Sequence, residues 1–538
     1  MESSGTSIDW IVLADLAPGR EPSRRFAEVD KDLLGEFLKA CAPSIEIDGR
    51  TLAFQDFRDF RPERLARQLP DAAALLGLRQ QALDLAAGRG SAESLGETLR
   101  KLAAYPELAA ALEEPPKETP PPPPAAPAAA PPAGGSLFDL VDTEGSKPPS
   151  SSPPTGLGGL LDEIVGKGPA GGPPPAALRN LAGRAEAAAG RALRAALHHP
   201  AFRRLEAAWR GLRHLIRSLD FRAGARLRVL PASADRLVAA VKEDALPLAE
   251  ESRAQGRLAV LLLDFPFDAS AESLALAAAI AGAAAARPVP VIASAERGFR
   301  TDAPAWDAFR SLEAARWLAL GTNAFLLRAP YGKESDPVRE FPFEEAAGAE
   351  SPLLWGRPGW ILGALVSAAV VRTGWGVDFA GREAAEALES LPVRPLELRH
   401  GEVVQIPLEE DLGDAAARAL DGAGLLPLAC RRNSDRPFAA GSSVAGRSTL
   451  RDALFAAQVS ATLASLLPNL DPTRGLPEIA RTIGAGLELM GLGERGPEFA
   501  AEAVPAEDPP RVLVRVKPRG PRLRGLADLE FTVPIPLH

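Results

Sequence analysis

The stretch from Leu197 to Phe221 reads LHHPAFRRLEAAWRGLRHLIRSLDF. Phe202, Leu205, Trp209, Leu212, Ile216 and Leu219 follow one another at alternating spacings of three and four, so they form the apolar stripe of one helical face. Arg203, Arg204, Arg210, Arg213 and Arg217 fall largely off that stripe, on faces open to water or to acidic partners. Pro200 suits the first turn, where its missing N–H has no intrahelical acceptor to lose. The Ala- and Arg-rich run from Ala176 to His199 predicts a second helix ending at this proline. The pattern is a helical corner with a large aromatic anchor.

Outward from this corner, 538 residues exceed one ordinary domain and predict two or three. With 46% hydrophobic and 24% charged residues, the chain is globular and able to bury sizeable cores. A net charge of −9 argues against a dedicated nucleic-acid binder, which needs a basic footprint. Two cysteines, Cys41 and Cys430, make neither a disulfide framework nor a zinc pattern, which suits the cytosol. The opening MESSGTSIDWIVLADL has no basic segment before its apolar run and does not read as a signal peptide. The Ala-rich run from Leu274 to Ala286 is too short to span a bilayer. The expectation is a cytoplasmic protein without direct membrane insertion.

Taken in order, Trp10 to Leu16 reads as a buried strand, and Phe26 to Ile47 as a strand end, a turn at Asp30 and a helix bearing Leu33, Leu34, Phe37 and Leu38. Asp30 or Asp32 suits the cap of that helix. Phe57 and Phe60 precede a helix from Pro62, and another runs from about Asp71 to Leu85. From Glu113 to Gly135 a Pro/Ala tract cannot bury enough apolar surface to order itself, which predicts an extended tether. Two apolar islands follow, Leu137 to Val141 and Leu160 to Val165. Beyond the central helix, Arg226 to Leu230 and Arg257 to Leu263 read as strands, the second apolar enough to be covered on both faces. The helix Ser270 to Ala286 and the strand Val289 to Ala293 complete a β-α-β pattern. A helix from Ser448 to Leu467 and strands at Arg511 to Val516 and Glu530 to Ile535 close the chain.

His198-His199-Pro200, Phe202, Leu205-Glu206 and Trp209-Arg210-Gly211-Leu212 together resemble the opening signature of the large subunit of the type VI secretion contractile sheath. Leu326-Leu327-Arg328-Ala329-Pro330-Tyr331-Gly332 resembles the turn of the same family, and Phe341-Pro342-Phe343-Glu344-Glu345 and Leu354-Trp355-Gly356 match downstream. Ala14-Asp15, Phe26, Val29-Asp30, Asp56-Phe57, Phe60, Pro62-Glu63, Leu75 and Leu78-Arg79 resemble, in that order, the small sheath subunit. The chain is thus similar to a natural fusion of a TssB/VipA-type part with a TssC/VipB-type part. The resemblance implies an α/β (mixed α+β) fold of contractile-sheath-like domains with a central mixed sheet flanked by helices, joined by the disordered Pro/Ala-rich linker. The boundaries expected are 1–112 for the small-subunit-like domain, 113–175 for the linker and 176–538 for the large-subunit-like domain.

As partners it implies further copies of the chain in a helical homo-oligomer, an inner-tube protein, baseplate proteins and an AAA+ disassembly ATPase recognised through Leu160, Leu161, Ile164 and Val165, for which a generic docking helix or a disordered island carries equal weight. Val512, Val514 and Val516, with Phe531, Val533 and Ile535, are the candidates for strands exchanged between subunits. An ordinary intramolecular hairpin edge carries equal weight for them. A baseplate- or assembly-associated homologue that forms no tube, and an α/β enzyme, stay open beside the sheath.

The residues offer little for catalysis. His198 and His199 are adjacent and point about 100° apart on a helix, unlike an i,i+4 metal pair, so a structural role at the junction is expected. His214, His400 and His538 are scattered. Gly166 to Gly171 spells G-x-G-x-x-G but follows no buried strand and precedes Pro173 to Pro175, where the helix of a dinucleotide site should begin. Cys430 lacks a neighbouring base, and Asp264 and Asp268 are the remaining carboxylate pair after a buried strand. No catalytic, metal or cofactor-binding residue is assigned, and no cofactor is expected.

Overall fold

Ile8–Ala14 forms strand β1, and all seven of its residues are buried. The pattern is that of a strand covered on both faces, and in this computed structural model it lies inside an eight-stranded sheet. The structure describes residues 7–19, 26–113, 175–346, 353–471, 473–493, 496–506 and 509–535. Residues 114–174, and with them both apolar islands and the expected recognition residues Leu160, Leu161, Ile164 and Val165, lie outside the described residues.

The other strands of the sheet are β2 (Ala27–Glu28), β3 (Arg226–Pro231), β4 (Leu258–Phe267), β5 (Val291–Ala295), β6 (Leu318–Thr322), β7 (Leu426–Ala429) and β8 (Phe438–Ala439). Their spatial order is β8-β7-β6-β5-β4-β1-β3-β2. Strands β7, β6, β5, β4, β1 and β3 run parallel, while β8 and β2 pair antiparallel at the two edges. β1 has a hydrogen-bonded neighbour on each side, with Asp9 opposite Arg226 on β3 and opposite Ala259 on β4. The mixed sheet and its flanking helices agree with the expected fold class.

The described chain divides into two compact units. One gathers Met1–Pro62, Ala196–Val338 and Glu344–His538, and the other Glu63–Ala195 with Arg339–Phe343. The expected division at residues 112 and 176 is therefore not the division into compact units. The physical reason is β1: a fully buried strand needs neighbours on both sides, and β3 and β4 supply them from more than 200 residues away in sequence.

In the first unit, the helix Pro200–Ser218 carries the sequence's apolar stripe, and its Phe202, Leu205, Trp209, Leu212, Leu215 and Ile216 are buried. It packs against the helix Pro358–Thr373. A Cβ on Gly211 would stand 2.3 Å from Trp360 Nε1, so this crossing needs glycine. Farther along, the helix Leu450–Leu466 opens with a capping box in which Thr449 and Asp452 satisfy each other's backbone N–H. Strands β9 (Phe499–Ala506), β10 (Arg511–Pro518) and β11 (Leu529–Pro534) form a separate antiparallel sheet, with β10 in the middle. Val512, Val514, Val516, Val533 and Ile535 join Phe455, Ile483 and Phe499 in one core. In the second unit, the helices Pro70–Ala86, Ala92–Lys101, Pro106–Glu113 and most of Pro175–His198 share Leu75, Leu78, Leu95, Leu99, Leu181 and Ala185. Arg79 Nε to Glu186 at 2.7 Å and Arg191 Nη2 to Glu107 at 2.6 Å tie this unit's helices at the surface.

Candidate functional site

Glu206 lies four residues after Phe202 and three before Trp209, so helical geometry puts its carboxylate on the buried face. It is 0% exposed. A carboxylate there needs a cation, and Arg328, at the end of the strand Phe325–Arg328, supplies one. Arg328 donates from Nε to Glu206 Oε1 at 2.9 Å and from Nη2 to Oε2 at 3.2 Å. The opposite edge of the same guanidinium donates to Glu345, at 2.7 Å from Nη1 and 3.1 Å from Nη2. Arg210 donates to Glu206 Oε1 at 2.7 Å and to the Tyr331 hydroxyl at 3.1 Å. The Tyr331 backbone N–H donates to Glu345 Oε2 at 2.8 Å, and the Arg328 guanidinium lies 4.4 Å from the Tyr331 ring centroid.

Two carboxylates face two guanidiniums, so the cluster is balanced in charge. Burial pushes the Glu206 carboxyl up, but Arg328 and Arg210 outweigh it and hold the group below the usual range. Burial favours loss of the Arg328 proton, yet Glu206 and Glu345 keep the guanidinium charged. The Tyr331 hydroxyl is pushed up to about 12 by burial and by Glu206. None of these groups is poised to exchange a proton near neutral pH. A buried network of this kind fixes which turn meets which helix, because any other register strands a charge.

The remaining signature residues frame this cluster. His199 caps the helix Pro200–Ser218, its Nδ1 accepting from the Ala201 N–H at 3.3 Å, and Pro200 opens the first turn. His198 Nε2 lies 3.5 Å from Glu345 Oε1, and burial lowers the imidazole pKa although Glu345 opposes it. Trp209 donates from Nε1 to the Leu16 carbonyl at 3.1 Å, and its ring meets Phe37 at 5.6 Å and Phe57 at 6.2 Å. Phe202 lies 5.8 Å from Phe54 and 6.0 Å from Phe60. The anchor of the central helix is thus completed by aromatics from the first 62 residues. Arg61 extends the cluster by a two-bond fork to Asp336, at 3.0 and 2.9 Å. Gly332 passes so close to Glu344 that a Cβ would stand 2.2 Å from its Oε2, and Pro330 completes the turn. Trp355 is half-buried and lies apart from the ion network, with the Arg394 guanidinium 5.7 Å from its ring.

Two functional residues went unassigned at the level of sequence. Glu345 stands in the matched FPFEE string, but nothing local marks it as the second partner of Arg328. Asp9, on the buried strand β1, pairs with Arg228 at 2.8 Å and Arg257 at 2.5 Å. Its signal was available, because a carboxylate inside IDWIVLA must find a cation once the strand is covered.

The groups weighed for catalysis sit in other settings. Asp264 Oδ2 accepts from Arg357 Nη1 at 3.0 Å, and burial raises its carboxyl despite that arginine. Asp268 is exposed and accepts from the Ser270 N–H at 2.9 Å, in the turn before the helix Ala271–Ala285. Burial and Asp411 push the Cys430 thiol up to about 12, the direction opposite to an activated nucleophile. Among the described residues, no cluster of three or more His, Cys, Asp or Glu side chains is placed to hold a metal ion. No described helix is long and apolar enough to cross a membrane.

Two family models match the chain. One, described as EvpB/VC_A0108, tail sheath N-terminal domain, matches residues 184–253 and 299–445. The other, described as Type VI secretion system, VipA, VC_A0107 or Hcp2, matches residues 8–117. The type VI secretion system sheath protein TssC1 of Pseudomonas aeruginosa is 28% identical over 316 residues, a match that spans 52% of this chain and 63% of that protein. Two solved structures of the anti-feeding prophage are similar at 12% identity. The baseplate structure gives a TM-score of 0.33, covering 58% of this chain and 77% of its own. The helical sheath in the contracted state gives 0.32, covering 61% and 78%.

Proposed function

Since the chain belongs to the type VI secretion sheath family, with a VipA-type and a VipB-type part in one polypeptide, we propose that it is a structural subunit of a cytoplasmic contractile sheath. Copies of it stack into a helical tube around an inner tube, above a baseplate. Work comes from interfaces moving between two packings rather than from covalent chemistry. The observation that carries this reading is β1, a strand from the VipA-type part hydrogen-bonded between two strands of the remainder. A body knitted in this way transmits force through backbone hydrogen bonds, which a tether alone cannot do. The tether at 113–175 then serves to keep the two parts at equal stoichiometry, and its Leu160 to Val165 island is the segment a disassembly ATPase would read.

The same reading assigns the links between subunits to the C-terminal sheet. Among the described residues strand β11 pairs only with β10, and Pro534 removes a donor from its outer face, so its free edge is short. Within the single chain, Val533 and Ile535 fill the core beside Val512 and Val514. A neighbour's strand of the same sequence fits the same place. Deleting Leu529 to His538 tests this by circular dichroism, melting and sedimentation at matched concentration. The expected result is a folded central sheet and loss of pelleting assemblies. Assemblies that survive the deletion would remove these strands from the linking role, and loss of the whole fold would place them in an ordinary core.

A further inference from the structure

Arg310, Arg316 and Arg447 converge on an open cleft of 440 Å³, together with Ser311, Leu312, Glu313 and Ser448. The chain carries 70 acidic residues against 61 Lys and Arg, so carboxylates are available to pair with. These three form no ion pair among the described residues. Two of them are held in place. Arg310 donates from Nε to the Ala445 carbonyl at 3.3 Å and from Nη2 to the Gly422 carbonyl at 3.2 Å. Arg316 lies 5.4 Å from the centroid of the buried Trp317 ring. Arg447 is exposed at the rim. The hydroxyls are already engaged, Ser311 Oγ donating to the Asp307 carbonyl at 2.9 Å and Ser448 Oγ to Asp452 Oδ2 at 3.4 Å. The guanidiniums are therefore the donors left for a ligand, two of them held before it arrives.

We propose that this cleft docks an acidic peptide segment of a partner protein. Arginine offers a planar fork matched to carboxylates, and pre-positioned forks lose little freedom on binding. The cleft also presents Leu312, 46% exposed, beside the charges. An inorganic anion has no use for that surface, whereas a peptide carrying an apolar side chain among its acids covers it. Glu313 at the rim and the net charge of −9 disfavour an extended polyanion such as nucleic acid. The inference is independent of the sheath reading, since it rests on the cleft alone.

The test is fluorescence anisotropy on the full chain with a labelled octapeptide alternating glutamate and leucine. Salt is kept at about 0.1 M, where charges still reach one another over about 10 Å. The expected result is saturable binding that weakens about tenfold in the Arg316→Ala/Arg447→Ala variant. Both residues are exposed, and Arg310, which ties two backbone carbonyls, is left intact. Melting curves check the fold, and Arg316→Lys/Arg447→Lys keeps the charge while removing the forks, so a loss of a few-fold is expected there too. The glutamine version of the peptide should not bind, and millimolar phosphate should not displace the glutamate version. Equal binding by the alanine variant, equal binding of the glutamine peptide, or displacement by phosphate would each overturn the proposal.

Discussion

Replacing Arg328 with methionine removes one guanidinium that serves both Glu206 and Glu345. Methionine is close in length and unbranched, so packing changes little and the electrostatic loss is isolated. Glu206 is left with Arg210, and Glu345 with the Tyr331 N–H and His198. Removing one member of a buried ion pair costs about 3–5 kcal/mol, set against a typical total stability of about 5–15 kcal/mol. The same principle makes the network replaceable: Glu206→Gln/Arg328→Met/Glu345→Gln removes both buried carboxylates, leaves Arg210, 21% exposed, as the one cation without its partner, and should recover most of the loss. The pH dependence has a definite sign. In the parent, the folded pKa of Glu206 lies below its ordinary 4.5, so its contribution is present above about 4.5 and is lost as pH falls through the folded value. In the variant only Arg210 opposes burial, so the folded pKa of Glu206 rises from the parent's lowered position, and the deficit shrinks as pH falls and the carboxylate takes up its proton. Chemical-denaturation midpoints of parent, single and triple variants, taken at about pH 7.5 and about pH 5.5, read this directly. A single variant as stable as the parent, or a triple variant worse than the single, would refute the argument from the stranded carboxylates.

Trp209→Ala should cost about 3–5 kcal/mol, because it removes the ring that Phe37 and Phe57 pack on and the bond to the Leu16 carbonyl. An unchanged melting temperature would show that it is not the anchor. Gly211→Ala should cost about 1–3 kcal/mol through its collision with Trp360, and adding Trp360→Leu should relieve part of that. Equal losses from Gly211→Ala in the parent and Trp360→Leu backgrounds would mean that the two helices part without strain. Cutting the chain within the tether and co-expressing the pieces should still give one complex, since β1 has hydrogen-bonded neighbours on both sides. Pieces that elute separately, each stable alone, would contradict the insertion of β1.

Local periodicity carried the elements well. The stripe on Pro200–Ser218 and the strand in Leu258–Phe267 were legible because burial imposes a pattern on consecutive residues. Ends were less legible: the first strand runs Ile8–Ala14 rather than Trp10 to Leu16, because Ile8 and Asp9 gain partners only through distant strands. The two signatures were visible as strings, but their meeting was not. Arg328 and Glu206 are 122 residues apart, and no local pattern encodes a contact over that distance. The division into units was hidden for the same reason, since the neighbours of β1 lie far downstream. The equal weight given to a hairpin and an exchanged strand for β10 and β11 reflects a real degeneracy. Both arrangements place Val512, Val514 and Val533 against the same core, so side-chain pattern alone does not distinguish them.

The central claim is that this chain, with its VipA-type and VipB-type parts joined, builds a tube on its own surfaces. Negative-stain electron microscopy of the purified full chain, over a range of concentration and ionic strength, tests it most directly. The account predicts long hollow tubes with a regular helical repeat. Discrete particles at every condition, from protein that melts cooperatively, would contradict it.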